Sequence, residues 1–459
     1  MDHEHVNSLI GQSEIRRLLS HVLFISEADE TEAVLQASNE FLTRFAHNEI
    51  HQNVAERNTW LEVRAAFGSS VGMATTNDLS PLGLGRVVNQ AGAIARHLPP
   101  NPDWPGLAEP QPLPDVLAYD EAVATLAPKA RARMVGDICR AAGSERLLAS
   151  GALATLQSEV AVMNSNGVFA YAPSTQADLN FVLEHPDETA STYAHALGWK
   201  LAQIDAESLK EKAIQRAQVA RRPRQIKAST YPVVLEPYAV VNLLEAFSAA
   251  GMGALAVQEG RSWMNERLGQ QCLSPLISIA DDAFDPEGFM QAFDCEGVPK
   301  QRVPIVVAGA PTSPVYDRLT AAREREGGRR STGHAQPFNE DWDGPLPENL
   351  TIAPGENCLE DLIASIDRGL LVTRFWYVNL TTPHNCGLTG TTRDGVWWIE
   401  RGELAYPVKN MRFDQELVTA FQLVRGVGCE QRTLSGYLGG YHRVPALALD
   451  SFRFIDVGN

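Results

Sequence analysis

Histidine and cysteine side chains are common nucleophiles, and this chain holds one such pair close together. His384 and Cys386 are two residues apart, a spacing at which a strand would put both side chains on one face. Such a pair could act as a Cys/His nucleophilic couple. Pro383 directly precedes them, however, and a polar turn after a strand is the plainer interpretation.

A basic segment could bind a peptide. Arginines are frequent in residues 323–330, and a histidine follows shortly after. Arg329, Arg330 and His334 offer N–H donors suited to peptide carbonyl or carboxylate groups. A solvated loop is the default interpretation of such a run of charge.

The six cysteines have no metal-site or redox spacing. They are Cys139, Cys272, Cys295, Cys358, Cys386 and Cys429. No C-x-x-C pair occurs, so the sequence predicts neither a zinc ribbon nor a thioredoxin-like motif. We expect reduced thiols.

The elements that must position these residues change character along the chain. In the first half, helical patterns are predicted over residues 9–23, 31–45, 81–97, 120–142 and 188–220, and strands over 49–53, 60–67, 153–163 and 168–172. Asn166-Gly167 lies between the last two strands and predicts a hairpin.

The second half is predicted to be richer in strands. It opens with a strand at 231–235 and a helix at 239–257 that contains Gly251 and Gly253; further strands are predicted at 370–380, 395–399, 403–408 and 446–455. We therefore predict an α/β chain of the α+β type, with a mixed domain over residues 1–226 and a β-rich domain over residues 227–459.

Composition narrows the class of protein. Of 459 residues, 44% are hydrophobic and 21% charged, the balance of a globular protein, and the net charge is −17. So acidic a surface repels phosphate backbones, so nucleic-acid binding is not predicted. With no apolar run long enough for a membrane span and an acidic, polar N-terminus unlike a secretory leader, the predicted location is the cytoplasm, without membrane association.

Several segments, in order over nearly the whole chain, resemble the TldD/PmbA family. They are Arg44 to Asn53, Val63-Arg64, Gly72, Thr75-Thr76-Asn77, Val233 to Pro237, Leu268-Gly269-Gln270, Ile277 to Asp282, Leu388 to Thr391 and Ile399 to Val408. Each segment alone is weak, but their order makes the resemblance specific. It implies the fold of that family and a dimer whose two subunits enclose a channel for extended polypeptide.

The catalytic members of that family are metallopeptidases with His-Glu-x-x-x-His on the helix after the Val-Val-Leu strand. Two imidazoles would hold a zinc-like ion, and the carboxylate would activate its water. An ungapped alignment between Val233 and Gly269 places the six positions at residues 245–250, which begin with Glu245 and Ala246 and end with Ala250. The chain has no histidine between His195 and His334, so no small shift restores the motif. We predict no catalytic residue, no cofactor and no metal on this chain.

The same resemblance points to a remnant ligand and to peptide contacts. Cys429 stands where the family's peptidases carry a further metal-binding cysteine, although a buried structural cysteine is the plainer interpretation. The basic segment that contains Arg329, Arg330 and His334 would lie near the family's substrate channel, and the polar segment with Asn379 and His384 favours a structural or peptide-contacting role.

The predicted function is that of a non-catalytic, TldE-like subunit of a heteromeric metallopeptidase that processes or degrades peptides. A TldD-like partner would carry the zinc-like metal. Two alternatives stay open: a homodimeric peptide-binding protein without proteolysis, and a hydrolase with relocated chemistry at Cys429, Cys386 or His384.

Overall fold

A computed structural model describes residues 9–187, 190–324, 327–337, 344–436 and 439–456. Its helices and strands form two separate sheet regions with helices packed against them, which confirms the predicted α+β class. In the described part of the chain, no helix is both long and apolar enough to cross a membrane.

The first half is built on a six-stranded antiparallel sheet. Its strands are β1 (Glu30–Ala46), β2 (Glu49–Phe67), β3 (Ser70–Thr76), β4 (Leu148–Asn164), β5 (Phe169–Glu184) and β6 (Ser191–Gly198). Their order in the sheet is β3-β2-β1-β4-β5-β6. The predicted Asn166-Gly167 hairpin is confirmed, because it joins β4 to β5 with Gly167 at a φ of +97°.

The segment 31–45, predicted as a helix, is the central strand β1, so that prediction is wrong. β1 pairs with β2 on one side and β4 on the other along most of its length, which satisfies its backbone groups without a helix. Glu32, part of the acidic start that suggested a helix, instead points to Arg64 on β2, with 3.0 Å between Oε1 and the guanidinium. Two ladders outweigh a weak local propensity.

Among its described residues, this half contains five helices. They are α1 (Gln12–Ile25), α2 (Pro81–His97), α3 (Glu121–Ala124), α4 (Pro128–Ser144) and α5 (Ala206–Val219). The predicted helix at 81–97 is confirmed as α2, which begins where the Ser80 hydroxyl accepts the N–H of Gly83 at 3.1 Å. The single helix predicted at 120–142 is divided into α3 and α4, with Pro128 as the first residue of α4.

The single long helix predicted at 188–220 is also wrong. Glu188 and Thr189 lie outside the described residues; the rest forms β6, a short 3-10 turn at Leu201–Gln203 and α5. β6 pairs with β5 along its whole length. α5 has its own start, because Asp205 Oδ1 accepts the N–H of Ser208 at 3.0 Å. Within the predicted range, the polar composition typical of a surface helix corresponds to an α-helix only in α5.

The second half is built on an eleven-stranded mixed sheet. Its strands are β7 (Thr230–Leu235), β8 (Ile279–Asp281), β9 (Val303–Val307), β10 (Ala310–Pro311), β11 (Leu350–Ile352), β12 (Arg368–Thr382), β13 (Gly387–Glu400), β14 (Glu403–Pro407), β15 (Arg412–Glu416), β16 (Val424–Leu434) and β17 (His442–Ile455). The main order is β10-β9-β8-β11-β17-β15-β13-β12-β7, and β7 also pairs with β17. That last pairing closes five strands on themselves around Phe375, Phe413 and Phe452, whose rings are in contact.

Five more helices are found in the part of the second half that the structure describes. They are α6 (Pro237–Ala249), α7 (Ala254–Gln258), α8 (Arg318–Arg323), α9 (Leu359–Ala364) and α10 (Leu417–Gln422). The helix predicted at 239–257 is interrupted between α6 and α7 at Gly251, whose φ is +151°. A Cβ at that position would lie 2.2 Å from the hydroxyl oxygen of Ser262, so only glycine allows the chain to turn there.

The two sheets meet through one face of the first. Val34, Val162 and Ala170 of that face pack against Ala292 and Phe293 of the second half. All strands of the first sheet precede residue 199 and all strands of the second follow residue 229. The domain boundary at residue 226 remains a prediction.

Candidate functional site

Helix α6 carries the positions of the expected metal motif. Pro237 is its first residue, a position where proline's missing N–H costs nothing. Ten of its residues are buried, among them Glu245, which is 4% exposed, and Ala246. Ala250, directly after the helix, is buried as well. The motif positions therefore lie inside the protein rather than on its surface.

The buried carboxylate of Glu245 is held by the chain itself. The backbone N–H of Gly436 donates to Glu245 Oε1 at 2.6 Å, and His442 Nε2 lies 3.5 Å from the same oxygen. The N–H of Leu350 donates to His442 Nδ1 at 3.3 Å, so Nδ1 is an acceptor and Nε2 is the nitrogen that can donate. We call Glu245, Gly436 and His442 the Glu245 cluster.

No alternative metal site is present in the part of the chain that the structure describes. There, no three or more His, Cys, Asp or Glu side chains come together in a way that could hold an ion. A protein zinc site takes at least three protein ligands as a rule. The Glu245 cluster offers one carboxylate and one imidazole, and both are engaged in contacts with the chain.

Sequence reasoning missed His442. The motif positions lie in a stretch without any histidine between His195 and His334, whereas His442 begins strand β17, far along the chain. Only the fold brings that strand against α6. The pair Gly439-Gly440 shortly before His442 is the one local signal of a close approach, and its residues have φ of +88° and +83°.

Cys429 is not part of the Glu245 cluster. It lies on β16 and is exposed, so the interpretation as a buried structural cysteine is wrong. From Cys429 the strand runs on to Leu434, about 16 Å away at 3.3 Å per residue, and Gly436 lies two residues beyond Leu434. The structure therefore gives no support to Cys429 as a metal ligand beside Glu245.

A cavity of about 550 Å³, which we call the α5 cavity, contains Cys429. It is bounded by α5, the start of α6 and β16, and Cys358, Arg216 and Tyr238 also line it. At its wall the guanidinium of Arg216 binds the carboxylate of Glu236 with two N–H donors, one of them at 2.8 Å. Burial alone would raise the pKa of Glu236, but Arg216, together with Thr373 and Arg432, outweighs burial and lowers it.

A second cavity, of about 710 Å³, lies between the first sheet and segments of the second half; we call it the sheet cavity. Small hydroxyl side chains form part of its floor: Ser38, Ser158 and Ser174, neighbours in register on β1, β4 and β5. Opposite them, Phe289 and Tyr441 stack with their ring centroids 3.8 Å apart. The space exists because side chains on this stretch of the floor are small.

The predicted peptide-contacting residues fall into three environments. His334 is fully buried, with Nε2 2.9 Å from Asp281 Oδ1 and Nδ1 2.9 Å from Thr332 Oγ1, so its ring is not free to contact a peptide. Burial alone would raise the pKa of Asp281, but the His334 imidazole, Lys300 and the Asn349 N–H together outweigh burial, and the pKa is about 2.

The other four candidates are accessible but not gathered at one place. Arg329 and Arg330 are exposed; the Arg329 guanidinium lies 3.6 Å from the Glu324 carboxylate. Asn379 and His384 lie on a different element, the exposed end of the β12–β13 hairpin. Their role in peptide binding remains a prediction.

Cys386 lies in the same hairpin turn but faces inward. It is fully buried, and its thiol donates to the carbonyl of Ala246 at 3.6 Å, while His384 is exposed. Burial raises the pKa of the Cys386 thiol, which keeps it protonated and weakly nucleophilic. The geometry therefore does not favour a His384–Cys386 nucleophilic couple.

Comparisons with known proteins identify the family. Residues 228–455 match the family model described as PmbA/TldA metallopeptidase C-terminal domain, and residues 31–95 match PmbA/TldA metallopeptidase domain 1. The chain is 25% identical over 395 residues to the metalloprotease PmbA of Escherichia coli O157:H7, which covers 82% of each chain. It is 25% identical over 385 residues to the metalloprotease PmbA homolog of Haemophilus influenzae, with 78% of each covered.

The fold is similar to a solved structure as well. The crystal structure of TldE from Thermococcus kodakarensis superposes with a TM-score of 0.86 at 20% sequence identity, covering 96% of this chain and all of the other. At that identity the likeness concerns the fold alone. Together with the two matched domains, it leads to one conclusion: the chain belongs to the TldD/PmbA family.

Proposed function

We propose that this protein is a non-catalytic, TldE/PmbA-like subunit of a heteromeric metallopeptidase that processes or degrades peptides, with the zinc-like metal on a TldD-like partner. The observation that supports this most is the Glu245 cluster. The one potential ligand at the motif positions is buried and hydrogen-bonded to Gly436 N–H. Its neighbours Ala246 and Ala250 present methyl groups, which bind no metal.

Under this proposal the chain contributes binding surface rather than chemistry. The sheet cavity is the largest space we describe, and its floor of hydroxyl groups can form hydrogen bonds with backbone or neutral polar groups of an extended peptide. The facing pair Phe289 and Tyr441 offers apolar surface to side chains. We propose this cavity as the peptide site of the subunit.

The test compares the purified chain alone, a TldD-like protein from the same organism alone, and the two mixed. We expect no bound metal and no peptide cleavage for the chain alone, and cleavage by the mixture above that of the partner. A partner variant without its motif glutamate is the control and should abolish cleavage in the mixture. One bound metal ion per chain, or strong cleavage by this chain alone, would contradict the proposal.

The alternative of a homodimeric peptide-binding protein rests on the sheet cavity, whose lining residues could bind a peptide without a metal-bearing partner. Light scattering of the chain with and without the TldD-like protein separates the two functions, because only the metallopeptidase subunit needs a metal-bearing partner.

For a relocated hydrolase, thiol alkylation would have to abolish an activity of the chain alone. We do not propose that function, because Cys386 is buried and the described lining of the cavity that contains Cys429 includes no histidine to act as its base.

A further inference from the structure

Two of the six thiols are brought together by the backbone. Strand β16 leaves the ladder of β17 between Val427 and Gln431. There its Gly428 pairs with Asn357 in an isolated parallel bridge, and the N–H of Cys429 donates to the carbonyl of Asn357 at 2.8 Å. Cys358 and Cys429 are the residues that directly follow the two bridge partners.

This register places the two cysteines side by side. In a parallel pair, the residues that follow two bridge partners are also neighbours, about 5 Å apart between Cα atoms, and their side chains share one face. A disulfide requires Cα atoms roughly 4 to 7 Å apart. Extended by one residue from the isolated bridge, this register predicts a Cα separation within the range that an S–S bond requires.

Both thiols face the same accessible space. Cys358 and Cys429 line the α5 cavity; Cys429 is exposed and Cys358 half-buried. Cys358 directly precedes α9, and its sulfur accepts the N–H of Asp361 at 3.4 Å. This contact holds the thiol at the start of that helix. The bulge in β16 turns Cys429 outward.

We propose that Cys358 and Cys429 are a reactive dithiol that closes to an intramolecular disulfide in the presence of a small-molecule disulfide oxidant. The thiolate of the exposed Cys429 attacks the oxidant, forming a mixed disulfide and releasing one small thiol. The thiolate of Cys358 then attacks the Cys429 sulfur, which releases the second small thiol. The chain loses two protons and two electrons, and the oxidant takes them up and is reduced to two thiols.

The bond would act on the α5 cavity. It would tie the start of α9 to β16 across one side of the space that Arg216 and Tyr238 also line. The loop between the cysteines spans most of β12 to β16, so its closure restricts the unfolded chain and raises the melting temperature. The inference does not depend on the proposed peptidase role.

The experiment treats the reduced chain with oxidised glutathione, alkylates the remaining thiols and digests with trypsin without reduction. We expect a cross-link between the tryptic peptides 331–368 and 426–432, each of which contains one cysteine, and a higher melting temperature. Cys358→Ser should instead carry one stable glutathione on Cys429, with no rise in melting temperature. Serine is a favourable residue before a helix, so this variant is expected to fold.

Cys272→Ser is the matched control, because Cys272 is partly exposed but lies outside this pair. It should form the same cross-link as the unchanged chain. A stable glutathione adduct on Cys429 of the unchanged chain, with Cys358 still free to be alkylated, would overturn the proposal. So would a cross-link from Cys429 to any other cysteine.

Discussion

At the scale of single residues, Glu245 shows what a buried carboxylate requires. A charged group taken out of water is costly unless hydrogen bonds replace its hydration. Here the N–H of Gly436 donates one hydrogen bond to it, and the imidazole of His442 lies 3.5 Å from the same oxygen; both residues belong to a segment distant in sequence. The carboxylate consequently fastens the loop before β17 to helix α6, which is a structural role.

Gly436→Ala tests how closely that loop must approach. A Cβ at residue 436 would lie 2.1 Å from Glu245 Oε2, so the loop has to retreat and the N–H donor moves away from the carboxylate. We expect the free energy of unfolding to fall by about 2 kcal/mol, from the combined loss of packing and of a charged hydrogen bond. Urea unfolding followed by circular dichroism measures it.

Gly85→Ala is the matched control for that substitution. Gly85 lies in helix α2, and an added Cβ would meet no atom within 4 Å. Alanine favours a helix by about 1 kcal/mol over glycine, so this variant should be slightly more stable than the unchanged chain. Equal stability losses in both variants would show that the Glu245 contact has no special cost.

The candidate site could be predicted from the sequence only where the signal is local. The absence of the motif on α6 follows from the residues between Val233 and Gly269, because the strand–helix unit is contiguous. The partner of Glu245 could not be predicted, since His442 reaches it only through the order of strands in a mixed sheet. The same holds for His334, whose burial depends on Asp281 in β8.

At the scale of elements, the helix predicted at 81–97 was correct, and its start signal is directly adjacent in the sequence. Helix α2 has Ser80 before it and Pro81 at its first position. The prediction for residues 31–45 failed because their composition also suits a helix. Only the pairing on both sides makes them the strand β1. Such pairing involves β4, more than a hundred residues away, which no local pattern reports.

The Arg216–Glu236 pair ties helix α5 to the junction of β7 and α6. Glu236 is almost fully buried and Arg216 about one third exposed. Arg216→Met keeps the apolar stem but removes the guanidinium that pairs with the carboxylate, and we expect a loss of about 3 kcal/mol in the free energy of unfolding. Urea unfolding provides the measurement.

The double variant Arg216→Met with Glu236→Gln is the control for the charge. It removes the unpaired carboxylate, so it should recover more than half of the stability that the single variant loses. Equal losses in both variants would mean that Arg216 stabilises the junction through packing alone.

At the scale of the whole molecule, buried charges lie where the two sheets meet. Arg64 of the first sheet lies 3.0 Å from Glu32 and 3.3 Å from Glu296 of the second half. Burial raises the pKa of Glu32 to about 7 and that of Glu296 to about 8, although Arg64 opposes both shifts. Glu62, Asp294, Asp317 and Arg318 are the further charged groups that act on these two carboxyls.

This arrangement predicts that the protein loses stability as the pH rises from the acidic range to neutrality. A raised pKa means that the folded chain keeps protons that the unfolded chain has lost, so the free energy of unfolding falls as the pH rises from about 4.5 to about 7 for Glu32. One group contributes a slope of up to about 1.4 kcal/mol per pH unit. Glu32→Gln should flatten the pH dependence, measured by urea unfolding from about pH 5 to about pH 8.

Glu27→Gln is the control for that prediction, because the Glu27 carboxylate is largely exposed and pairs only with Arg96 on the surface. It should keep the slope of the unchanged chain. An unaltered slope in Glu32→Gln would mean that the carboxyl of Glu32 is ionised in the folded protein throughout this range.

The arrangement of the two sheets also determines the sheet cavity, which no stretch of sequence could have revealed. The space above its floor is open because the floor residues Ser38, Ser158 and Ser174, on three adjacent strands, all have small side chains. Ser158→Trp fills the space from the centre of the floor. If the cavity holds an extended peptide, we expect the dissociation constant of a fluorescent peptide, measured by anisotropy, to be at least tenfold higher.

Ser13→Trp, on the exposed side of α1, is the control for that last substitution and should leave peptide affinity unchanged. Circular dichroism and the melting temperature verify that both variants are folded. Unaltered peptide affinity in a folded Ser158→Trp variant would remove the sheet cavity as the binding site. The exposed hairpin end with Asn379 and His384 would then be the next surface to test, because both side chains remain accessible there.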